Sequence, residues 1–334
     1  MKKKSIVPRW LELKHRGELA VRVRQAISLA TACRLCPRAC GTPRKGERTR
    51  GLCGALSVGT ALVASSTAHF GEEPPVSGRK GSGTVFFGGC SVRCIFCQNH
   101  QISRLDRGLH IEKCDSHKLA HRFLNLQQSG CHNLNLVTSS AYLPVVLEAL
   151  EIAADLGFRL PLVYNSGGYE SMETLELLES VVDIYLPDMK FGLAEHARLL
   201  CEAPDYVAVN RRTVAEMYRQ VGLLEVGEEG IAAGGLIVRH LVLPERLAST
   251  EQVLGFLAGE LTSEIHFSLM AQYYPAYRAG EMPELNRQVS ATQYREAELL
   301  LEKYGFNNGW VQQLGAQANY RPDFSKPDPF SSSP

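Results

Sequence analysis

The chain has 334 residues, 45% hydrophobic and 21% charged, which permits one large domain or two smaller ones around a sizeable core. Lys plus Arg number 36 against 35 Asp plus Glu, a formal net charge of +1, so the balance predicts no nucleic-acid or acidic-surface partner. The basic start Lys2-Lys3-Lys4 runs into Arg9, Glu12, Lys14 and Arg16 rather than an apolar stretch, and no run of eighteen apolar residues follows, so neither a signal peptide nor a membrane span is expected.

Residues 8–30 read as one helix, with Leu11, Leu13, Leu19, Val23, Ile27 and Leu29 set among charges. Next come Cys33, Cys36, Cys40 and Cys53 in the pattern C-x2-C-x3-C-x12-C, around the polar, glycine-bounded loop GTPRKGERTRG. Four thiolates close on one ion or cluster, which suits a structural zinc or a fully ligated iron–sulfur cluster; both use thiolates alone, so both stay open. Residues 54–83 look irregular, with a short strand-like piece at 61–64 and the turn-rich GEEPPVSGRKGSG. With Cys33 to Cys53 they form an N-terminal extension over 1–83.

From Thr84 a rhythm sets in. Strand-like runs at about 84–88, 134–138, 161–165, 182–186, 236–242 and 265–270 alternate with helical patterns at about 115–129, 142–156, 171–180, 205–221, 250–261 and 291–304. Six β-then-α units in succession predict an α/β fold, a parallel sheet curled into a partial (β/α)6 TIM-like barrel over 84–316. The tail 317–334, rich in Pro, Asp and Ser, is expected to drape over the surface.

Directly after the first strand run stands Gly88-Gly89-Cys90-Ser91-Val92-Arg93-Cys94-Ile95-Phe96-Cys97-Gln98-Asn99, three cysteines spaced C-x3-C-x2-C. A cubane iron–sulfur cluster takes four ligands, so three thiolates leave one iron open to substrate or cofactor. On a helix the same positions would form one buried stripe at i, i+4 and i+7, but Gly88-Gly89 suits a helix start badly and Val92, Ile95 and Phe96 do not extend the stripe. A zinc completed by a fourth ligand from elsewhere is the other bland option. Seven of the ten cysteines thus sit in two groups, which reads as metal binding in a reducing, cytoplasmic compartment; Cys114, Cys131 and Cys201 read as core fillers.

C-x3-C-x2-C with an aromatic before the last cysteine resembles the signature of the radical S-adenosylmethionine (radical SAM) enzymes. The wording FFGGCSVRCIFCQNHQIS is similar to the PflX-type group, related to pyruvate formate-lyase activating enzymes. LNLVTSS, LPLVYNSGGYE, VDIYLPDMK, GLIVRHLVLPE and HFSLMAQYYPAY agree with it, so the resemblance runs from about Cys33 to the chain's end. It implies a six-unit partial barrel and a 4Fe–4S cluster on Cys90, Cys94 and Cys97, whose open iron the amino and carboxylate groups of S-adenosylmethionine chelate. One electron from the reduced cluster then gives a 5′-deoxyadenosyl radical that abstracts hydrogen from a substrate. It further implies an electron donor such as flavodoxin or ferredoxin. A glycyl radical enzyme is the partner by nearest analogy, with a small molecule or another protein as the other substrates. The ferredoxin-like double-cluster insert of some activating enzymes is absent after the motif.

Active residues of parallel α/β folds gather at the C-terminal strand ends. Phe96 and the pair Gln98-Asn99 would hold the adenine. After the second strand, Thr138, Ser139 and Ser140 stand where many radical SAM proteins carry a Gly-Gly-Glu-like segment; they read either as substitutes for it or as a helix N-cap. Asn165 and Ser166, before Gly167-Gly168, offer polar contacts to a ribose or carboxylate. Asp188 and Lys190, two residues apart on one side of an extended segment, match an Asp-x-Lys of the related activating enzymes near the cofactor carboxylate. Arg239 lies within an apolar strand and needs an anion, either the cofactor's carboxylate or an internal acid. His240 points the other way and reads as a packed histidine, and Gln272, Tyr273 and Tyr274 as pocket lining with open roles. A different class of reading makes both cysteine groups structural in a zinc-dependent binding module, with Arg34, Arg38, Arg44, Lys45, Arg48 and Arg50 as local positive charge.

Overall fold

Short runs of Val, Ile, Leu and Phe that are apolar on both faces suit strands covered on both sides, and the chain uses several of them that way. The structure, a computed structural model, describes residues 7–46, 50–106, 108–227, 229–316, 321–326 and 329–330. Lys2 to Lys4, Arg48 and parts of the tail lie outside them.

In place of the single helix expected over 8–30 there are two, α1 (Arg9–His15) and α2 (Glu18–Thr31); Gly17, at φ +71°, breaks the run. Then follow β1 (Ala61–His69), α3 (Pro74–Ser77), β2 (Ser82–Phe87), α4 (His100–Arg104), β3 (Glu112–Cys114), α5 (Ser116–Gln128), β4 (Leu134–Val137), α6 (Leu143–Asp155) and β5 (Leu162–Ser166). The chain continues with α7 (Met172–Leu178), β6 (Ile184–Pro187), α8 (Ala194–Leu200), α9 (Tyr206–Val221), β7 (Glu225–Val226), β8 (Ala232–Leu241), α10 (Thr250–Phe256), β9 (His266–Met270), α11 (Ala291–Tyr304) and β10 (Gly309–Val311).

Strands β2, β4, β5, β6, β8, β9 and β10 are parallel neighbours in that order. On the free edge of β2, β1 adds antiparallel, and β3 adds antiparallel to β1. Among the described residues β3 and β10 do not pair with each other, so the barrel stays open. The expected α/β partial barrel is the observed fold. Residues 54–83 are more regular than their composition suggests, because half of β1 is polar and only half-buried while its backbone pairs along β2 from Val63 to His69.

Side chains alternate across the strands with period two. The outward set, including Val85, Leu134, Leu136, Tyr164, Tyr185, Val238 and Leu269, joins the helices in the main core. The inward set is apolar at one end of the lumen, where Val163, Ile184, Leu186 and Ile237 pack around Val76 of α3. Because β1 runs opposite to β2, the chain after His69 emerges at the N-terminal end of the parallel strands, and α3 plugs that mouth. Higher up, the inward positions turn polar.

Cys114, Cys131 and Cys201 are buried, as expected of core fillers. The tail engages more closely than a surface drape: Phe324 is buried and joins Phe330 around Phe86, with ring centroids 5.5 and 5.3 Å from it. No helix among the described residues is long and apolar enough to cross a membrane.

Candidate active site

The three-cysteine loop leaves β2 at its C-terminal end and is not helical, so its thiols do not form a helix stripe. Gly89 turns it at φ +83°, where a Cβ would lie 2.0 Å from the Cys53 carbonyl oxygen, so only glycine fits. Cys90, Cys94 and Cys97 all line one cavity of about 240 Å³ that descends into the lumen. Burial pushes the Cys94 and Cys97 thiols up, with Lys190 pulling both back; a bound metal would displace those protons.

Most of the residues expected to surround the cysteines line the same cavity: Phe96, Gln98, Asn99, Thr138, Asn165, Ser166, Asp188, Lys190 and Arg239. Phe96 sits edge-on to Phe191 and Tyr273, and the Gln98 amide donates to the Gln272 carbonyl at 2.6 Å. Ser139 is not brought in. Its hydroxyl is buried without a partner and caps no helix, and Ser140 accepts instead from the Tyr164 hydroxyl at 3.0 Å. Gln272 reaches the cavity, while the Tyr273 hydroxyl is spent on the Leu285 carbonyl. His240 is a packed histidine, bonded to the Met189 carbonyl and the Thr250 hydroxyl and pushed down to about 4 by burial.

Arg239 meets internal acids. Its Nε donates to Asp188 Oδ1 at 2.9 Å, Nη1 to Glu72 Oε2 at 3.1 Å and Nη2 to Asn165 Oδ1 at 2.6 Å. Lys190 Nζ donates to the other Asp188 oxygen at 2.6 Å. Burial alone would raise Asp188, but Arg239 and Lys190 hold it below the usual carboxylate range. From α9, Asn210 Nδ2 and the Tyr206 hydroxyl both donate to the Asp188 carbonyl, and the Lys190 amide donates to Tyr206, which fixes this segment. Gly168 presses against it at φ +67°, where a Cβ would sit 2.4 Å from the Asp188 carbonyl oxygen.

Sequence reading missed Glu72 and Glu73, which enter this polar layer from the plugged mouth. Glu72 accepts from Asn135, Asn165 and Arg239. The available signal was two adjacent acids ahead of Pro-Pro in a segment otherwise poor in charge.

The four-cysteine segment packs against the outside of the cysteine loop. Arg38 Nε donates to the Ser91 carbonyl at 3.0 Å and Arg93 Nη1 to the Leu52 carbonyl at 3.1 Å. Arg44 is buried, held by the carbonyls of Leu56, Ser57 and Ala141, and so cannot act as surface charge. Cys33, Cys36, Cys40 and Cys53 surround a small space of about 20 Å³, which also touches Cys90. Burial raises Cys36 and Cys53; it acts on Cys40 too, but Thr42 and the Leu52 amide hold that thiol low. Among the described residues no three His, Cys, Asp or Glu side chains are arranged for a single metal ion. The fit of both sets therefore lies in their donors: three thiols facing a cavity suit a cluster with an open iron, and four enclosed thiols suit a closed metal site.

No protein-family model matches the chain. The Methanocaldococcus jannaschii protein MJ0674, described as uncharacterized, is 30% identical over 294 residues, covering 86% of this chain and 80% of its own. Among solved structures, methylornithine synthase (PylB) shows a distant likeness, with a TM-score of 0.40 and 16% identity over 72% of this chain and 75% of that one.

Proposed function

We propose, for a chain that belongs to the same family as M. jannaschii MJ0674, that it is a radical SAM enzyme. One observation carries the reading: the three thiols of the C-x3-C-x2-C loop and the Asp188–Lys190–Arg239–Asn165 layer line one cavity at the C-terminal end of a partial barrel.

Cys90, Cys94 and Cys97 would hold a 4Fe–4S cluster. When bound, that cluster supplies the electron that splits the sulfonium of S-adenosylmethionine into methionine and the 5′-deoxyadenosyl radical, which takes a hydrogen atom from the substrate. The chain's own residues orient and shield. Lys190 has one N–H committed to Asp188 and two left to offer an amino acid's carboxylate. Arg239 has its charge committed to Asp188 and Glu72, so it aims Asp188 rather than binding a carboxylate itself. Asn165 and Ser166 present polar groups for a ribose, and Phe96 with Gln98 and Asn99 borders the place for the adenine. Phe86, Leu241 and Met270 give the cavity an apolar side that excludes water from a reactive radical.

Within this class, activation of a glycyl radical enzyme is the reading drawn from the sequence resemblance, with flavodoxin or ferredoxin as reductant in a cytoplasmic setting. The four-cysteine site takes zinc or a second cluster as a closed structural unit. The test is anaerobic reconstitution with iron, sulfide, S-adenosylmethionine and dithionite. Brown protein that releases 5′-deoxyadenosine, with release lost in Cys94→Ala and kept in Cys36→Ala, supports the reading. Colourless protein holding only zinc overturns it in favour of a binding module.

A further inference from the structure

The polar layer of the lumen does not balance its charge. Three carboxyls, Glu72, Glu73 and Asp188, stand around the cavity with two permanent cations, Arg239 and Lys190, and the imidazole of His69. Arg93, which also lines it, is paired with Glu202 at 2.7 Å. Arg239 satisfies Asp188 and Glu72, and Lys190 satisfies Asp188 again. Glu73 is left over. It is only 8% exposed, Ser268 hydrogen-bonds its carboxyl, and its Oε2 is buried with no hydrogen-bond partner.

A buried carboxylate oxygen without a donor is costly, more so when charged, and a ligand that supplies the donor removes that cost. The position of Glu73 says what. It enters from the α3 plug at the floor of the cavity, while the cysteine loop stands at the opposite, C-terminal end. Between them Phe86, Val137, Leu241 and Met270 give the wall an apolar side, facing the polar side of Asn165, Asp188 and Arg239. A molecule filling this shape has a hydrogen-bond-donating positive end at the floor, an apolar stem, and its reacting carbon toward the cysteines.

We infer that Glu73 is a recognition carboxylate for a nitrogen cation, an ammonium or guanidinium group on a short apolar stem, carried by the substrate. The inference deepens the radical SAM reading and rests on it for the word substrate, though the binding itself does not need the radical step. Burial, opposed by Arg239, holds both Glu72 and Glu73 above the usual carboxylate range, and a cation arriving at Glu73 would favour its charged form.

The test uses the full-length, anaerobically reconstituted chain and two isosteric probes, n-butylammonium and n-butanol, followed by saturation-transfer NMR titration. The wild-type chain should prefer the cation by roughly tenfold or more, the worth of a charge-assisted hydrogen bond. Glu73→Gln should remove that preference and leave butanol binding unchanged. Equal binding of the two probes by the wild type overturns the inference without any variant, so a failure of Glu73→Gln to fold does not shield it. A variant whose S-adenosylmethionine affinity falls as much as its butylammonium affinity also overturns it, because the carboxylate would then face the sulfonium. Failure of the radical reading looks different: the wild type would make no 5′-deoxyadenosine, while the cation preference would still support a Glu73 site.

Discussion

Two sets of cysteines lie back to back in this chain, and they face opposite situations. Cys90, Cys94 and Cys97 open onto a cavity of about 240 Å³ whose far wall carries Asp188, Lys190, Arg239 and Glu73. Cys33, Cys36, Cys40 and Cys53 enclose about 20 Å³ between their own loop, the turn Gly89 to Ser91 and Ala141. The same donor atom thus appears once where a ligand can approach and once where nothing else fits. Access, not ligand type, separates a site for chemistry from one for architecture.

The sharpest way to break this contrast is to remove one thiol from each side. On the proposed reading, Cys94→Ala should abolish iron and sulfide binding at the cavity and leave any metal on the four-cysteine segment, and Cys36→Ala should do the reverse. Metal and labile-sulfide analysis of the two variants checks it; loss of both sets of metal in both variants would merge the two sites into one.

The open side also depends on its buried ions. Arg239→Met leaves Glu72 without its cation and Asp188 with Lys190 alone, and breaking such a buried pair costs about 3–5 kcal/mol, to be read from the denaturant midpoint. Where the two regions touch, Gly89→Ala forces a Cβ into the Cys53 carbonyl at a left-handed φ, and strain of this kind costs roughly 1–3 kcal/mol. Metal uptake should fall at both sets, since one backbone contact positions both.

Much of this contrast was legible in the sequence. Period two along 182–190 and 235–242 put Asp188 and Lys190 on one side and His240 opposite Arg239, and the cysteine spacings marked both metal candidates. The N-terminal side was harder. Gly17 broke a helix whose flanks both read as helical, and β1 is half polar, so only its pairing with β2 makes it a strand. Glu72 and Glu73 were missed for a topological reason. They follow an antiparallel strand and so enter the barrel from the end where parallel-fold rules expect no active residues. The two competing partners of Arg239 could be separated only once Glu72 was in place.

A smaller effect lies away from both cysteine sets and serves as a control. Asp183 accepts from the amides of Arg9 and Leu162, yet burial pushes it up to about 6. An acid raised on folding binds more protons in the native state, so stability should fall as pH rises from about 4 through about 6 and then level off. Asp183→Asn should flatten that slope in pH-dependent urea unfolding, with cluster content unchanged. Smallest of all, Arg38→Gln removes one bond between the four-cysteine segment and Ser91 and should cost about 1 kcal/mol.

The central claim is that one iron beside Cys90, Cys94 and Cys97 lacks a protein ligand. Electron paramagnetic resonance of the reduced Cys36→Ala protein, before and after adding S-adenosylmethionine, tests it most directly. The account predicts that the cofactor shifts the cluster's g-values as it binds the open iron. An unchanged spectrum in protein that carries its full complement of cavity iron would contradict it.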